Sequence, residues 1–226
     1  MLPPSITNLT EKFRLFPGIG FRSSQKLSLD VLQMSDENYQ DFIKAIQETR
    51  DKVKFCHDCG FFAEGNLCQI CQNKARNNQQ LCLVEKPTDV ISLEKSEIYR
   101  GKYQVLNNLI SPLDNIFPED TSLPDLFERR LPQIFKLNEN TLPKMAVNST
   151  LEERKARPRI ELILFFKSGF ATEATTAYLR ETIAQKGWQD IVEISRLAQG
   201  LPLYFNPDTL DQATMAKALE DRREIL

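Results

Sequence analysis

Cys56-x2-Cys59, eight residues, and then Cys68-x2-Cys71 set two pairs of thiols opposite each other within a chain of 226 residues. At that spacing four sulfurs can converge tetrahedrally on Zn²⁺. Gly60 and Gly65 lie inside the segment, where tight knuckle turns need backbone freedom. All four positions are thiols, so no coordination position is left for a catalytic water and the zinc is expected to be structural. Four unrelated buried cysteines are the competing reading. His57, the one histidine, lies between two of the ligands and could replace one of them, but reads as a solvated bystander. The fifth cysteine, Cys82, sits in an apolar run and reads as a small core residue. Clustered thiols with no secretory leader argue for metal rather than a disulfide framework.

On either side of this knuckle the pattern differs. Residues 1 to about 54 read as helices: one to Leu15, a turn at Phe16-Pro17-Gly18-Ile19-Gly20, a helix from Phe21 to about Leu32 and another from Asp36 to about Lys54. Beyond the knuckle, Leu81-Cys82-Leu83-Val84 and Ile160 to Phe166 are apolar runs of the kind found in strands buried on both faces. Thr172 to about Gln185 has helical spacing, and Trp188 to Leu197 reads as a further strand. Strand, helix, strand in succession predicts a parallel sheet. Thr209 to Arg223 is expected to close the chain as a helix. Between Leu131 and Arg159 lies a polar stretch with three prolines and the basic cluster Arg154, Lys155, Arg157 and Arg159, too long for an ordinary loop.

The glycine turn carries the second chemical signal. Phe16-Pro17-Gly18-Ile19-Gly20 leading into Phe21-Arg22-Ser23-Ser24-Gln25-Lys26 resembles a helix-hairpin-helix, in which backbone N–H groups at a helix N-terminus meet a phosphate oxygen. Gly18 and Gly20 would allow that approach, and Arg22 and Lys26, four apart, share the face that would contact backbone phosphates. An ordinary helical hairpin is the alternative. A net charge of −2 excludes a globally basic nucleic-acid binder, so any DNA contact must be local. No apolar run near membrane-spanning length and no signal-like start are present, from which a cytoplasmic location is expected.

Read in order, these parts resemble the bacterial RecR family along nearly the whole chain. Tyr103 to Asp114 is similar to the family's YHVLGGxISPLDG, Leu83 to Asp89 to VVExxxD, and Arg196 to Pro202 to RIAxGxP. The resemblance implies an α+β multi-part chain. Its parts are a helix-hairpin-helix (1–54), a four-cysteine zinc knuckle (55–78), a Toprim-like α/β parallel-sheet domain (79–199, with an insertion at about 132–159) and a C-terminal helical arm (200–226). It further implies a non-enzymatic DNA-binding recombination mediator in DNA repair. Such a protein acts with RecO, and with RecF as a further candidate partner, to help load the RecA recombinase onto DNA coated by single-strand binding protein. A homo-oligomeric ring around DNA, with no membrane contact, is part of the same expectation.

Some positions depart from the family pattern. Ala171-Thr172-Glu173 replaces the start of EGEATA, Tyr204 and Phe205 replace a glycine pair, and Pro207 to Asp211 stands where LEYxD is usual. Asn108, Asn115 and Phe117 replace glycines; the two asparagines are expected to keep left-handed turns, while Phe117 has no such explanation. Glu85, Asp89 and Glu173 read as a partner-docking surface, as a weak magnesium site, or simply as solvated strand ends. Catalytic Toprim enzymes also need an Asp-x-Asp pair after a later strand, and Ser195 to Gly200 has none. The alternatives to a scaffold are a Mg²⁺-dependent Toprim nuclease or primase-like enzyme and a zinc-ribbon protein adaptor. No phosphate-binding G-x-x-x-x-G-K-[ST] loop is present.

Overall fold

The computed structural model describes residues 2–137 and 159–197, and the chain divides into two compact units, Met1–Val53 and Lys54–Leu226. The first is helical. Pro4 presets the first turn of α1 (Pro4–Phe13), Gly18 turns the chain with φ +83, and α2 (Phe21–Leu32) follows. Ser35 caps α3 (Asp36–Lys52), accepting from the Asn38 N–H, with Asp36 and Glu37 in its first turn and Arg50 and Lys52 in its last, as the helix dipole favours. Small hydroxyl residues join α1 to α2. Thr10 Oγ1 donates to Ser28 Oγ at 3.1 Å, and Ser28 Oγ to the Ser24 carbonyl at 2.9 Å. No residue of α3 is buried.

The second unit begins with the knuckle, a two-stranded ribbon of β1 (Lys54–Phe55) and β2 (Phe62–Ala63) followed by the short α4 (Gln69–Gln72). A four-stranded sheet follows, formed by β3 (Asn77–Val84), β4 (Gly101–Val105), β5 (Ile160–Phe165) and β6 (Val192–Arg196). Its order is β4-β3-β5-β6 and every neighbouring pair is parallel. β3 and β4 are joined through α5 (Pro87–Glu94), and β5 and β6 through α8 (Phe170–Gln185). Between β4 and β5 run α6 (Leu123–Asp125), a π-helical turn (Leu126–Arg130) and α7 (Leu131–Leu137).

Side-chain alternation along β3 assigns the two faces. Leu81 and Leu83 join Leu162, Leu164, Leu126 and Leu179 in one core cluster; Cys82 and Val84 join Val90, Tyr103, Val105 and the knuckle cysteines in the other. Cys82 is inert in this setting, since burial, reinforced by Asp89, pushes its thiol up to about 12. No helix among the described residues is long and apolar enough to cross a membrane.

Four local expectations are corrected. Strand structure begins at Val192 rather than Trp188, because Gly187 (φ +69) ends α8 in a left-handed cap. The Trp188 N–H returns to the Ile183 carbonyl and the Gly187 N–H to that of Ala184, and the indole packs on the core beside Phe127 and Phe135. The polar excursion expected from residue 132 does not begin there: α7 continues to Leu137 and buries Leu131 and Ile134 in the core. Pro132 is tolerated after the π turn, where the Leu131 N–H already reaches back five residues to the Leu126 carbonyl. Asn115 is left-handed (φ 55), but the other left-handed asparagine is Asn107 (φ 66), not Asn108. Phe117 needs no glycine, since its φ of −107 is open to any residue. The expected C-terminal arm and Arg154, Lys155 and Arg157 lie outside the described residues.

Candidate zinc centre and nucleic-acid interface

The sulfurs of Cys56, Cys59, Cys68 and Cys71 all lie within 4.8 Å of one another, with Cys59 and Cys68 at 3.6 Å. A tetrahedron with zinc–sulfur bonds of ~2.3 Å has sulfurs about 3.8 Å apart, so the cage fits the ion. Backbone geometry also favours thiolates. The Cys68 N–H points at Cys56 Sγ (3.3 Å) and the Cys71 N–H at Cys68 Sγ (3.4 Å). Hydrogen bonds from the neighbouring thiols of Cys59 and Cys71 hold the Cys68 thiol well below its ordinary range. Gly60 (φ +75) brings this turn against the sheet, where an added Cβ would meet Val105 Cβ at 3.2 Å. The His57 ring is more than half exposed and stands outside the sulfur group.

The sheet unit holds the knuckle with three cations that sequence reasoning missed. Arg129 donates to the His57 carbonyl (2.6 Å), and Arg130 to Asp58 (3.1 Å) with Cys71 Sγ beyond at 3.8 Å. Lys102 Nζ donates to the carbonyls of Ile70, Cys71 and Asn73 at 2.8, 3.0 and 2.9 Å. Burial pulls the Lys102 ammonium below its ordinary range, and the negative sulfur of Cys71 works against that. The Val105 N–H donates to the Cys59 carbonyl at 2.8 Å, so the knuckle covers the end of the outer strand β4. The available signal was weak: Arg129-Arg130 beside Leu126, Phe127 and Leu131 reads as the solvated stripe of an amphipathic helix.

In the helical unit, Gly18, Gly20, Arg22 and Lys26 are all exposed. Gly20 occupies the N-cap of α2 with no side chain to cap it, and an added Cβ there would meet nothing within 4 Å. The N–H groups of Phe21, Arg22 and Ser23 therefore have no acceptor among the described residues, and they open toward solvent on the turn set by Gly18. Neither Arg22 nor Lys26 forms an ion pair among the described residues.

The expected acidic surface is brought only partly together. The order β4-β3-β5-β6 makes the gap between β3 and β5 a switch point. A cleft of about 300 Å³ opens beyond these strand ends, lined in part by Glu85, Asp89, Lys86, Lys167 and Arg196. Asp89 is committed to the Lys86 N–H at 2.9 Å, closing the first turn of α5, and Glu173 is not in the lining but pairs with Arg196 at 3.0 Å. Among the described residues no three carboxylates gather as the four cysteines do.

A parallel sheet with helices on its faces, a four-sulfur knuckle on one edge strand, and a helical hairpin are the parts of a Toprim-class protein with a zinc finger and a helix-hairpin-helix. Three family models match in that order: the RecR helix-hairpin-helix at residues 6–50, the RecR four-cysteine zinc finger domain at 53–73, and the Toprim domain at 79–198. Recombination protein RecR of Bifidobacterium animalis subsp. lactis (strain AD011) is 33% identical over 221 residues, spanning 98% of this chain and 96% of that relative. The chain belongs to the RecR family of recombination proteins, and it carries the family's four-cysteine zinc finger.

Proposed function

We propose that this chain is a non-enzymatic recombination mediator that binds DNA without regard to sequence. In that role it acts with a RecO-type partner, and with RecF as a further candidate, to help load RecA onto DNA coated by single-strand binding protein in the cytoplasm. The observation that carries the reading is the uncapped N-terminus of α2, where free N–H groups, the Gly18 turn and the exposed pair Arg22 and Lys26 meet. Such a site takes a phosphate oxygen and is blind to the base. Cys56, Cys59, Cys68 and Cys71 hold one structural zinc, and Glu85, Asp89 and Glu173 mark the surface that meets a protein partner. Glu85 lines the cleft and among the described residues is held only by a 3.6 Å pair with the neighbouring Lys86, and it carries the docking role best.

Assembly into a homo-oligomer is supported by the helical unit. Tyr39, Phe42 and Ile46 are spaced along α3 and exposed, together with Leu27 and Leu32 on α2. So much uncovered apolar surface on a small unit fits an interface between copies of the chain. The decisive experiment is gel-shift binding to single- and double-stranded DNA, with and without a RecO-type partner, alongside the solution mass. Salt-sensitive binding with no turnover supports the reading. A Mg²⁺-dependent nucleic-acid product would instead establish a Toprim enzyme, and absence of both DNA binding and assembly a zinc-ribbon adaptor.

A further inference from the structure

We propose that Arg130 and Lys102, both from the sheet unit, are the charge-compensating partners of the zinc centre and set how firmly zinc and its thiolates are held. The proposal rests on the zinc reading above and concerns residues outside the ligand set.

Both side chains are buried, Arg130 at 5% and Lys102 at 6% exposure. Lys102 spends its donors on the carbonyls of Ile70, Cys71 and Asn73, and no carboxylate pairs with it among the described residues. A buried ammonium held only by carbonyls is costly unless an anion lies close by. Four thiolates around Zn²⁺ carry two net negative charges, and the turn that Lys102 grips contains one of those thiolates. Lys102 is thus fastened to the turn that carries one of these negative sulfurs.

Arg130 completes the argument from the other side. Its NH1 is anchored on Asp58, inside the first Cys-x2-Cys turn, and its NH2 stands 3.8 Å from Cys71 Sγ, in the second. Its Nε is buried and has no acceptor among the described residues. A guanidinium is a rigid fork of donors, and a metal-bound thiolate is a far better acceptor for it than a neutral thiol. The side chain spans both halves of the cage from a π-helical turn, whose widened backbone presents Arg129 and Arg130 to the knuckle together. Outer partners of this kind tune metal affinity by about 10- to 100-fold in zinc proteins.

The test uses the full chain as Arg130→Met, Arg130→Lys, Lys102→Met and Asp58→Asn variants. Zinc release is followed with a colorimetric chelator during alkylation by iodoacetamide, and the sulfur-to-metal charge-transfer band is recorded after Co²⁺ substitution. Arg130→Met should release zinc about tenfold faster or more, with the band at longer wavelength because a donor has left the sulfur. Arg130→Lys should recover part of both, and Lys102→Met should speed release. Asp58→Asn should leave the band in place. Release at the wild-type rate in both Arg130→Met and Lys102→Met overturns the proposal. So does equal acceleration in Asp58→Asn and Arg130→Met with an unmoved band, since Arg130 would then act by packing alone. Should Arg130→Met fail to fold, Arg130→Lys and Lys102→Met decide by the same readouts. Wild-type protein that contains no zinc overturns the zinc reading itself, which keeps the two failures apart.

Discussion

Between α1 and α2 the buried side chains are Thr10, Ser24 and Ser28, whereas across the sheet Leu81, Leu83, Leu126, Leu162 and Leu179 are all fully covered. One unit is joined by small hydroxyls and leaves Leu15, Phe16, Phe21 and Ile46 at 52–77% exposure; the other has a fully buried apolar core on both faces of one strand layer, although Ile98, Leu113 and Phe170 stand exposed at its surface. Burial is the main source of folding free energy, so the sheet unit has the larger driving force while the helical unit relies more on local helix signals. The difference separates two kinds of functional element. The zinc centre is built into a core, whereas the hairpin offers bare backbone donors on a lightly held scaffold.

Removing zinc should separate the two units most clearly. Structural zinc contributes on the order of 10–16 kcal/mol in isolated zinc-finger peptides, an upper guide for a knuckle that also leans on a sheet. Cys68→Ser is expected to abolish zinc in elemental analysis and to raise amide exchange in β1, β2 and β4, whose Val105 N–H loses an ordered acceptor in Cys59. Exchange in α1 to α3 should not change. A uniform rise across both units would show that they fold as one.

Core truncation comes next in size. Leu83→Ala, at a fully buried site, should cost about 2–5 kcal/mol in denaturant unfolding. Ile46→Ala, at a site 52% exposed, should cost under about 0.5 kcal/mol in dilute monomer. If α3 is an interface, the Ile46 variant will instead lower stability in a concentration-dependent way and reduce the solution mass. A large loss that is independent of concentration would contradict the division between a covered unit and an open one.

Legibility in the sequence follows the same line. The knuckle could be read because thiol spacing is a coordination constraint that does not depend on the rest of the fold. α2 and β5 could be read because their patterns are local, and Phe21–Leu32 and Ile160–Phe165 match the expected spans closely. β4 went unassigned as a strand: Gly101-Lys102-Tyr103-Gln104-Val105 shows no apolar run, yet all five residues are buried. Burial of Lys102 follows from carbonyls more than twenty residues away in the chain, which no window of sequence contains. α5 did carry signals, Pro87 in its first turn and Asp89 closing it, but eight residues give little periodicity. Helix α7 was hidden by Pro132, which reads as a breaker until the preceding π turn is known.

Substitutions in the hairpin should leave stability alone and change DNA binding. Arg22→Ala and Lys26→Ala each remove an exposed cation with no ion pair among the described residues, so thermal unfolding should shift little. Each should weaken binding to all sequences alike and lower the salt slope by about one, because one fewer counterion is released. A variant with unchanged affinity and slope would remove that residue from the interface. Gly20→Ala narrows the location: the methyl meets no protein atom, so lost binding with intact folding would place the phosphate where the Cβ projects.

The smallest effect contrasts two carboxylates shifted in the same direction for different reasons. Burial pulls the Glu94 carboxyl up, but Arg76 and the Tyr103 hydroxyl outweigh it and hold the group below its ordinary range. A hydrogen bond and the nearby charge of Lys52 lower Glu48, whose side chain is about half exposed on α3. For both, the folded value lies below that of unfolded glutamate, ~4.3. Each contribution is therefore complete above pH ~4.3 and is lost as pH falls through the lower folded value. Measured by denaturant unfolding, the stability gap between wild type and Glu94→Gln should narrow over that range, and 0.5 M salt should leave it largely intact, since Arg76 is 10% exposed. The gap for Glu48→Gln should be small at low salt and vanish at 0.5 M, as for other exposed ion pairs. Equal salt sensitivity at the two sites would mean that water reaches the Arg76–Glu94 pair as freely as it reaches α3, and the contrast between a covered unit and an open one would fail at that point.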